Sequence, residues 1–263
     1  MKKYKYFLLE NKINSSTVKE VLTEEEFNDL LSTNCKDFSW DDIPIYKGFN
    51  DNTIDDSNIY LYFNPTMETR KSKNTFNYYT LLFDNSPYIG DFPKRSKSLI
   101  CTSSCKTAWC YTDHGNPYRV IPFDNAKIAI CPADDFWSSF ESINKLRKFR
   151  SMPGMDLSDF NRELRDSYHE IFDEYLCEND FDILKSQLNK LLEYLNSKDE
   201  SQLSTQPLTD VKTIDDIFQL LNPYKNNHTL IDYNEYKKQN GFNIFVNKEI
   251  WIDSKCLLVE DFT

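Results

Sequence analysis

Glycine is scarce in this sequence, with only 5 among 263 residues. Phosphate-binding loops of the G-x-G-x-x-G and Walker kinds place two or more glycines in one short turn. Neither pattern occurs anywhere in the chain. Rossmann-type and P-loop nucleotide-binding folds therefore have no support.

Long apolar runs and an excess of positive charge are also missing. No run approaches the roughly 20 residues that a membrane span needs, and the apolar segment near the start is too short for a signal peptide. Asp and Glu outnumber Lys and Arg by 42 to 31, a net charge of −11, which disfavours tight nonspecific binding to nucleic acid. The seven cysteines are irregularly spaced, which favours reduced thiols. We expect a cytoplasmic protein without a membrane partner.

Aromatic residues are plentiful, with 16 Tyr and 19 Phe, so the chain can form a packed core. The first half has mostly strand-like patterns, beginning with a predicted strand at residues 4–9. Two helices are predicted there, over residues 23–33 with Thr23 as the N-cap and over 72–84 with Ser72 as the cap. The remaining predicted strands lie at residues 42–48, 58–63, 97–103, 118–131, 242–252 and 255–259.

The middle of the chain has helical periodicity from Asp134 to about Asn222, including residues 156–177, the leucines that follow, and a last short helix from Thr213. This order predicts an α+β fold. We expect a β-rich core at residues 1–133, a helical insertion at 134–225, and terminal strands at 226–263 that return to the core.

A basic stretch interrupts the acidic chain. Residues 70–106 contain seven Lys or Arg and two acids, Asp84 and Asp91. Clustered cations repel one another unless an anion compensates them. The stretch ends in an apolar run followed by hydroxyls, Ser98-Leu-Ile-Cys-Thr-Ser-Ser104. We therefore expect either a bound anion or a solvated basic face beside an ordinary strand end.

Three motifs stand in order along the first half: Ile43-Pro-Ile-Tyr-Lys-Gly48, then Ile100-Cys-Thr-Ser-Ser104, then Ala108-x-x-Tyr111 with the strand pair Tyr118–Ile130. Together they resemble the core of mono-ADP-ribosyltransferases of the Arg–Ser–Glu type, most closely phage-like members. The resemblance covers about residues 43–131 and extends to 241–260. Lys47 stands where the family has Arg, and the Ser-Thr-Ser triplet is Cys101-Thr102-Ser103.

The resemblance implies a split β-sheet core, NAD as substrate, and a macromolecular acceptor that is protein or nucleic acid. Cleavage of the nicotinamide–ribose bond develops positive charge on the ribose, which a carboxylate stabilises. The implied catalytic groups are Glu249 with the hydroxyls of Thr102 and Ser103. The implied cofactor-binding groups are Lys47, Arg70 and Arg95 for the pyrophosphate and Tyr78, Tyr79 or Tyr111 for stacking on nicotinamide.

The catalytic acid has two candidates. Glu249 lies on a late strand that another strand follows, as the family order requires. Asp134 or Asp135 follows the hydroxyl row at a suitable spacing, but the alternative for both is to cap a helix that starts near Phe136. For Glu249 the alternative is a solvent-facing strand residue paired with Lys248 or Lys255.

Two alternative functions would use the cysteines. A C-x3-C-x4-C-x3-H spacing is formed by Cys101, Cys105, Cys110 and His114. A structural zinc site would need these four side chains to surround one ion. A thiol enzyme would need one cysteine to be activated, and nothing marks one of the seven.

A non-catalytic alternative keeps the transferase-like fold. In that case the chain is an inhibitor or adaptor of phage or mobile-element type, inside the host-cell cytoplasm. Lys47 in place of Arg favours this alternative. Residues 134–200 contain 16 Asp or Glu and nine Lys or Arg, so this acidic helical region is either a protein-binding surface or an ordinary solvated helix face.

Overall fold

The computed structural model describes residues 19–49, 59–72, 76–112, 116–140, 165–166, 168–169, 171–197, 211–238 and 247–261. The chain divides into two compact units. The first contains Met1–Arg70, Phe92–Asp134 and Leu230–Thr263, and the second contains Lys71–Asp91 and Asp135–Thr229. Residues 71–91, expected in the β-rich core, thus belong to the unit that carries the helical middle of the chain.

The described residues form one nine-stranded sheet in the order β1-β3-β9-β5-β2-β4-β8-β6-β7. Its strands are β1 (Lys19–Val21), β2 (Ile45–Lys47), β3 (Tyr60–Phe63), β4 (Leu99–Thr102), β5 (Tyr118–Pro122), β6 (Lys127–Ile130), β7 (Thr229–Asp232), β8 (Glu249–Ile252) and β9 (Cys256–Glu260). The pairs from β1·β3 across to β8·β6 are antiparallel. The terminal strands β8 and β9 therefore pair with strands of the first half.

The described α-helices are interspersed among these strands in the chain. They are α1 (Glu24–Asn34), α2 (Tyr78–Asp84), α3 (Cys105–Trp109), α4 (Phe181–Asn196), α5 (Ile214–Leu220) and α6 (Tyr233–Lys238). An antiparallel sheet with separate helices is an α+β architecture. The predicted fold class is confirmed at this level.

Each face of the sheet packs against apolar side chains. Ile45, Cys101 and Val120 belong to the core cluster on one face, which also includes Tyr236 of α6. On the other face, Phe27 of α1 packs in a second cluster, with residues including Tyr62, Ile121 and Leu257. Since alternate strand residues point to opposite faces, β3, β5 and β9 contribute to both clusters.

Local sequence signals account for two of the helix starts. Thr23 and Glu26 form a reciprocal capping box at α1, which satisfies two backbone N–H groups that the helix leaves unpaired. The helix predicted over 23–33 is confirmed. Thr213 and Asp216 make the same arrangement at α5, where a helix from Thr213 is predicted.

Other boundaries differ from the predictions. Helix α2 begins at Tyr78 after Asn77, and the Ser72 hydroxyl bonds Thr80 Oγ1 at 2.8 Å instead of capping the helix. Strands β1 and β7 and helix α6 were not predicted. The predicted strand at residues 4–9, the first part of the helix predicted over 156–177, and residues 242–246 lie outside the described residues.

Candidate active site

Glu249 and Thr102 lie side by side on neighbouring strands. Glu249 is the first residue of β8 and pairs with Thr102, the last residue of β4. Directly opposed residues of an antiparallel pair point to the same face with Cβ atoms about 4.5–5.5 Å apart. The fold thus brings a carboxylate beside a hydroxyl from a position 147 residues earlier in the chain. Of the two predicted acids, Glu249 is the one in register with the hydroxyl row.

The same face continues with two more polar residues. Tyr46 of β2 pairs with Thr102 on one side and with Arg119 of β5 on the other. Glu249, Thr102, Tyr46 and Arg119 therefore form one row across four strands, which we call the polar row. It combines a carboxylate, an aliphatic hydroxyl, a phenol and a guanidinium on one face.

The guanidinium of Arg119 is held at the end of the polar row. Its Nη1 donates to the Trp40 carbonyl at 2.8 Å and its Nη2 donates to the Asp42 carbonyl at 2.9 Å. The rings of Phe38 and Trp40 lie 5.4 and 5.3 Å from its Cζ. Neutral carbonyls and rings hold the group without cancelling its charge, so the polar row ends in a cation.

The row of hydroxyls also has defined structural contacts. Ser103 N–H donates to the Lys248 carbonyl at 3.0 Å, and Lys248 N–H donates to Ser103 Oγ at 2.8 Å. Ser104 Oγ accepts from Thr107 N–H and caps α3, while Thr102 Oγ1 accepts from Ser104 N–H at 3.1 Å. Because a hydroxyl that accepts a bond keeps its own hydrogen, Thr102 remains able to donate. Ser103 fixes the backbone immediately before Glu249.

The Glu249 carboxylate has a cationic partner. Arg95 Nη1 donates to Glu249 Oε1 at 2.5 Å, and the two side chains are 5% and 14% exposed. The alternative for Glu249, a solvent-facing residue paired with a lysine, does not describe this side chain, which is mostly buried against Arg95; Lys248 Nζ donates to the Pro132 carbonyl. The contact also argues against the expected role of Arg95 as a pyrophosphate ligand, because a guanidinium that is only 5% exposed is not accessible to a pyrophosphate in solvent.

Lys47 does not lie on the face of the polar row. It follows Tyr46 in β2 and pairs with Tyr118. Tyr118 belongs to the core cluster of Ile45, Cys101 and Val120, on the face of the sheet opposite to the polar row. Alternation along the strand therefore directs Lys47 to the other face, where its Nζ is 5.5 Å from the Phe49 ring centre. The structure does not place Lys47 beside Glu249 for a shared dinucleotide site.

Gly48 joins two of the motifs in space. A Cβ at position 48 would come 2.1 Å from the Ala108 carbonyl oxygen and 3.0 Å from the Tyr111 backbone. Only glycine permits this close approach of β2 to the end of α3. The Ile43–Gly48 and Ala108–Tyr111 motifs are thus neighbours, and Tyr111 is 55% exposed beyond them.

Arg70, Asp135 and Tyr78 have other environments. Arg70 N–H donates to the Ser96 carbonyl at 2.8 Å, which places it beside the Arg95 segment. Asp135 Oδ1 accepts from Trp137 N–H at 2.6 Å at the start of the 3-10 helix Trp137–Ser139, so it has the capping role and belongs to the second unit. Tyr78 also lies in that unit and is only 2% exposed, where burial raises its pKa. A buried core ring is not available for stacking on nicotinamide.

Two of the buried cysteines are held as unreactive thiols. Burial raises the pKa of Cys101 to about 12 and that of Cys35 to about 12, which suppresses the thiolate that attacks or binds metal. Cys110 is exposed and its thiol lies 3.5 Å from the Lys106 carbonyl. Within the described ranges no group of three or more His, Cys, Asp or Glu is placed to hold a metal ion; His114 lies outside those ranges.

Sequence reasoning missed Tyr46 and Arg119, although both stand inside the quoted motifs. Motif order identifies which strands matter, but the face of each residue depends on the register between β2, β4 and β5. The usable signal was the alternation itself, since Tyr46 and Lys47 must point to opposite faces. A shift of one residue in the register of β2 would exchange the faces of Tyr46 and Lys47.

The chain matches no protein-family model, no curated protein and no solved structure. None of the helices in the described parts of the chain has the length and apolar character that a bilayer crossing requires. The site must therefore be interpreted from its own geometry.

Proposed function

We propose that this protein transfers ADP-ribose from NAD to a macromolecular acceptor, with Glu249 as the catalytic acid residue. The observation that carries the proposal is the pairing of Glu249 with Thr102, because it puts the carboxylate beside the hydroxyl row. The fold and activity of the Arg–Ser–Glu transferases enter through the sequence resemblance. The position of Glu249 agrees with what that resemblance requires.

The chemistry requires a negative group beside the ribose. As the bond between nicotinamide and C1′ breaks, positive charge develops on the sugar, as in glycoside cleavage. A carboxylate stabilises that charge more in the transition state than in bound NAD, and only this difference accelerates the reaction. Nicotinamide leaves with the bonding electron pair, and a nucleophile of the acceptor then bonds to C1′ and loses its proton.

The hydroxyls would orient the reacting groups. Thr102 keeps a hydrogen to donate toward the carboxylate or a ribose hydroxyl, while Ser103 fixes the backbone before Glu249 through Lys248. Arg119 is the cation in line with them. Strands lie about 4.8 Å apart, so its Cα is roughly 14 Å from that of Glu249 across three strand spacings. Two long side chains and the ribose-to-diphosphate part of NAD bridge such a separation.

Arg119 therefore replaces Lys47 as our proposed diphosphate contact. Its two bonds to carbonyls engage two of the five N–H donors of a guanidinium. Arg70 stays a proposed second contact, and Tyr111 stays the proposed stacking residue because it is exposed next to the hydroxyl segment. Tyr46, whose pKa is raised by burial and lowered in part by Arg119, lies between the two ends of the row.

A second candidate function is a catalytically inactive, transferase-like binding protein. Two observations favour it: Arg95 already neutralises part of the Glu249 charge, and Lys47 faces away from the polar row. This protein would bind a dinucleotide or a protein partner without breaking a bond. The acidic helical region of residues 134–200 is the surface that we would assign to such a partner.

The test is label transfer from adenylate-labelled NAD to cell extract. We expect the wild type to label a macromolecule and Glu249→Gln to reduce the rate about 10³-fold, the loss typical when one transition-state charge contact is removed. Ser103→Ala should reduce it less, because it loosens only the backbone before Glu249. Nuclease or protease treatment of the labelled product identifies the acceptor class.

The matched control is Glu235→Gln, the same change at an exposed position of α6, and it should retain full activity. Loss of labelling in Asp135→Ala but not in Glu249→Gln would show that the acid is misassigned. Wild-type protein that binds NAD and never labels anything would support the inactive binding protein instead.

A further inference from the structure

Arg95 begins a short 3-10 helix, Arg95–Lys97, and its side chain reaches β8. Its Cζ lies 5.9 Å from the Trp251 ring centre, and Trp251 is two residues after Glu249 on the same strand face. The arginine therefore contacts β8 at two successive positions of that face. One contact is an ion pair and the other is a cation–π contact.

The segment before Arg95 is fastened to the same tryptophan. Trp251 Nε1 donates to the Pro93 carbonyl at 2.9 Å, and the Phe92 ring stacks on the indole at 5.9 Å with an interplanar angle of 24°. Ser98 Oγ donates to the Lys94 carbonyl at 2.7 Å and closes the other end. The segment before Arg95 is thus fixed relative to β8, and the turn that carries Arg95 is closed by its own hydrogen bond.

The Glu249 side chain is somewhat more exposed to solvent than the Arg95 side chain. Arg95 is 5% exposed and Glu249 is 14% exposed, so the carboxylate is the more accessible of the two groups. A buried charge without a partner is strongly unfavourable, whereas a fixed and hydrogen-bonded pair holds one geometry. Arg95 is consequently placed to hold the carboxylate and not to bind the ligand.

We propose that Arg95 is the positioning residue of the Glu249 carboxylate, and this inference rests on the proposed function. The ion pair fixes one carboxylate oxygen so that the group faces the ribose in one orientation. Positioning of this kind acts on the rate of the bond-breaking step, because a displacement of about 1 Å costs roughly 100-fold in rate. It leaves the affinity for NAD unchanged.

The experiment measures kcat and KM for NAD with Arg95→Met and Arg95→Lys, together with thermal unfolding of each protein. Met fills the space over Trp251 without charge, and Lys keeps the charge without the planar fork. We expect kcat to fall about 100-fold for Arg95→Met and by a smaller factor for Arg95→Lys, which is the variant that preserves a buried partner for Glu249. KM should stay within about twofold of the wild type, since uniform binding is untouched.

Arg165→Met is the matched control. Arg165 forms an exposed ion pair with Asp166 at 2.8 Å, so the same substitution there removes an arginine ion pair that belongs to the other unit. It should leave kcat and KM unchanged. Any kcat loss common to both arginine variants would refute a specific role of Arg95.

Two further results would overturn the inference while leaving the proposed function intact. A rise in KM at constant kcat would make Arg95 a diphosphate contact. A lower melting temperature with unchanged kcat per folded molecule would make it a purely structural ion pair. Wild-type protein without NAD turnover would refute the proposed function itself, and the inference with it.

Discussion

Glu249 illustrates how one side chain depends on distant residues. Its strand partner is Thr102 and its ion-pair partner is Arg95, which is 154 positions away. Removing Arg95 would break the ion pair of a nearly buried carboxylate, and breaking a buried pair typically costs about 3–5 kcal/mol. The same residue therefore bears on both activity and stability, and the two effects must be measured separately.

The buried thiols predict a pH dependence of stability. Burial raises the pKa of Cys35 and Cys101 from 9.0 to about 12, so between these values the unfolded chain loses a proton that the folded chain keeps. The free energy of unfolding should therefore fall as pH rises from 9 toward 12, by at most about 1.4 kcal/mol per pH unit for each thiol. Denaturant unfolding at pH 7, 8, 9 and 10 checks this.

Cys101→Ala should make that decline shallower, because one shifted group is removed. Cys110→Ser is the control at an exposed thiol and should leave the slope unchanged. Equal slopes in the wild type and Cys101→Ala would show that the Cys101 thiol does not contribute to the decline.

At the scale of elements, the contact between β2 and α3 depends on one glycine. In Gly48→Ala the new Cβ would overlap the Ala108 carbonyl oxygen at 2.1 Å, and backbone cannot move aside as a flexible side chain can. We expect the free energy of unfolding to fall by about 1–3 kcal/mol, the usual cost of overpacking. Chemical denaturation followed by circular dichroism measures it.

Lys106→Ala provides the comparison within α3. Lys106 is exposed, so the change should stay within about 0.5 kcal/mol of the wild type. If both variants unfold at the same denaturant concentration, the close approach at Gly48 is not a constraint on stability.

Elements with strong local signals could be predicted from the sequence, and those set by distant contacts could not. The capping residues Thr23 and Thr213 predict the starts of α1 and α5 because capping acts within one turn. Helix α2 begins at Tyr78 and is shorter than predicted, and the Ser72 hydroxyl bonds Thr80 instead of capping it. The sequence predicts Ser72 as the cap from its residue type, whereas the bond from Ser72 to Thr80 depends on how the folded chain brings the two residues together.

The same distinction between local signals and distant contacts applies to the candidate site. Motif order named Thr102 and Glu249 as candidates, and the pairing of β4 with β8 brings these two residues side by side. It could not show that Tyr46 and Arg119 share their face while Lys47 does not, because a shift of one residue in register exchanges the faces. The Arg95–Glu249 pair was likewise beyond prediction, since no local pattern connects residues 154 positions apart.

At the scale of the whole molecule, the polar row and its supporting residues belong to the first unit. Strands from the first half and from the C-terminal segment form that row together, so the first unit cannot be assembled from the N-terminal half alone. The second unit contains α2, α4 and α5 with the acidic middle of the chain. Its role as a partner-binding surface stays a prediction.

The most direct measurement is nicotinamide release from NAD by the purified wild type and by Glu249→Gln, with NAD binding to both proteins measured by calorimetry. We predict equal binding within about twofold, release by the wild type, and release about 10³-fold slower by the variant. Release at the same rate by both proteins, or no binding of NAD to the wild type, would contradict the claim that the Glu249 carboxylate faces the ribose of bound NAD.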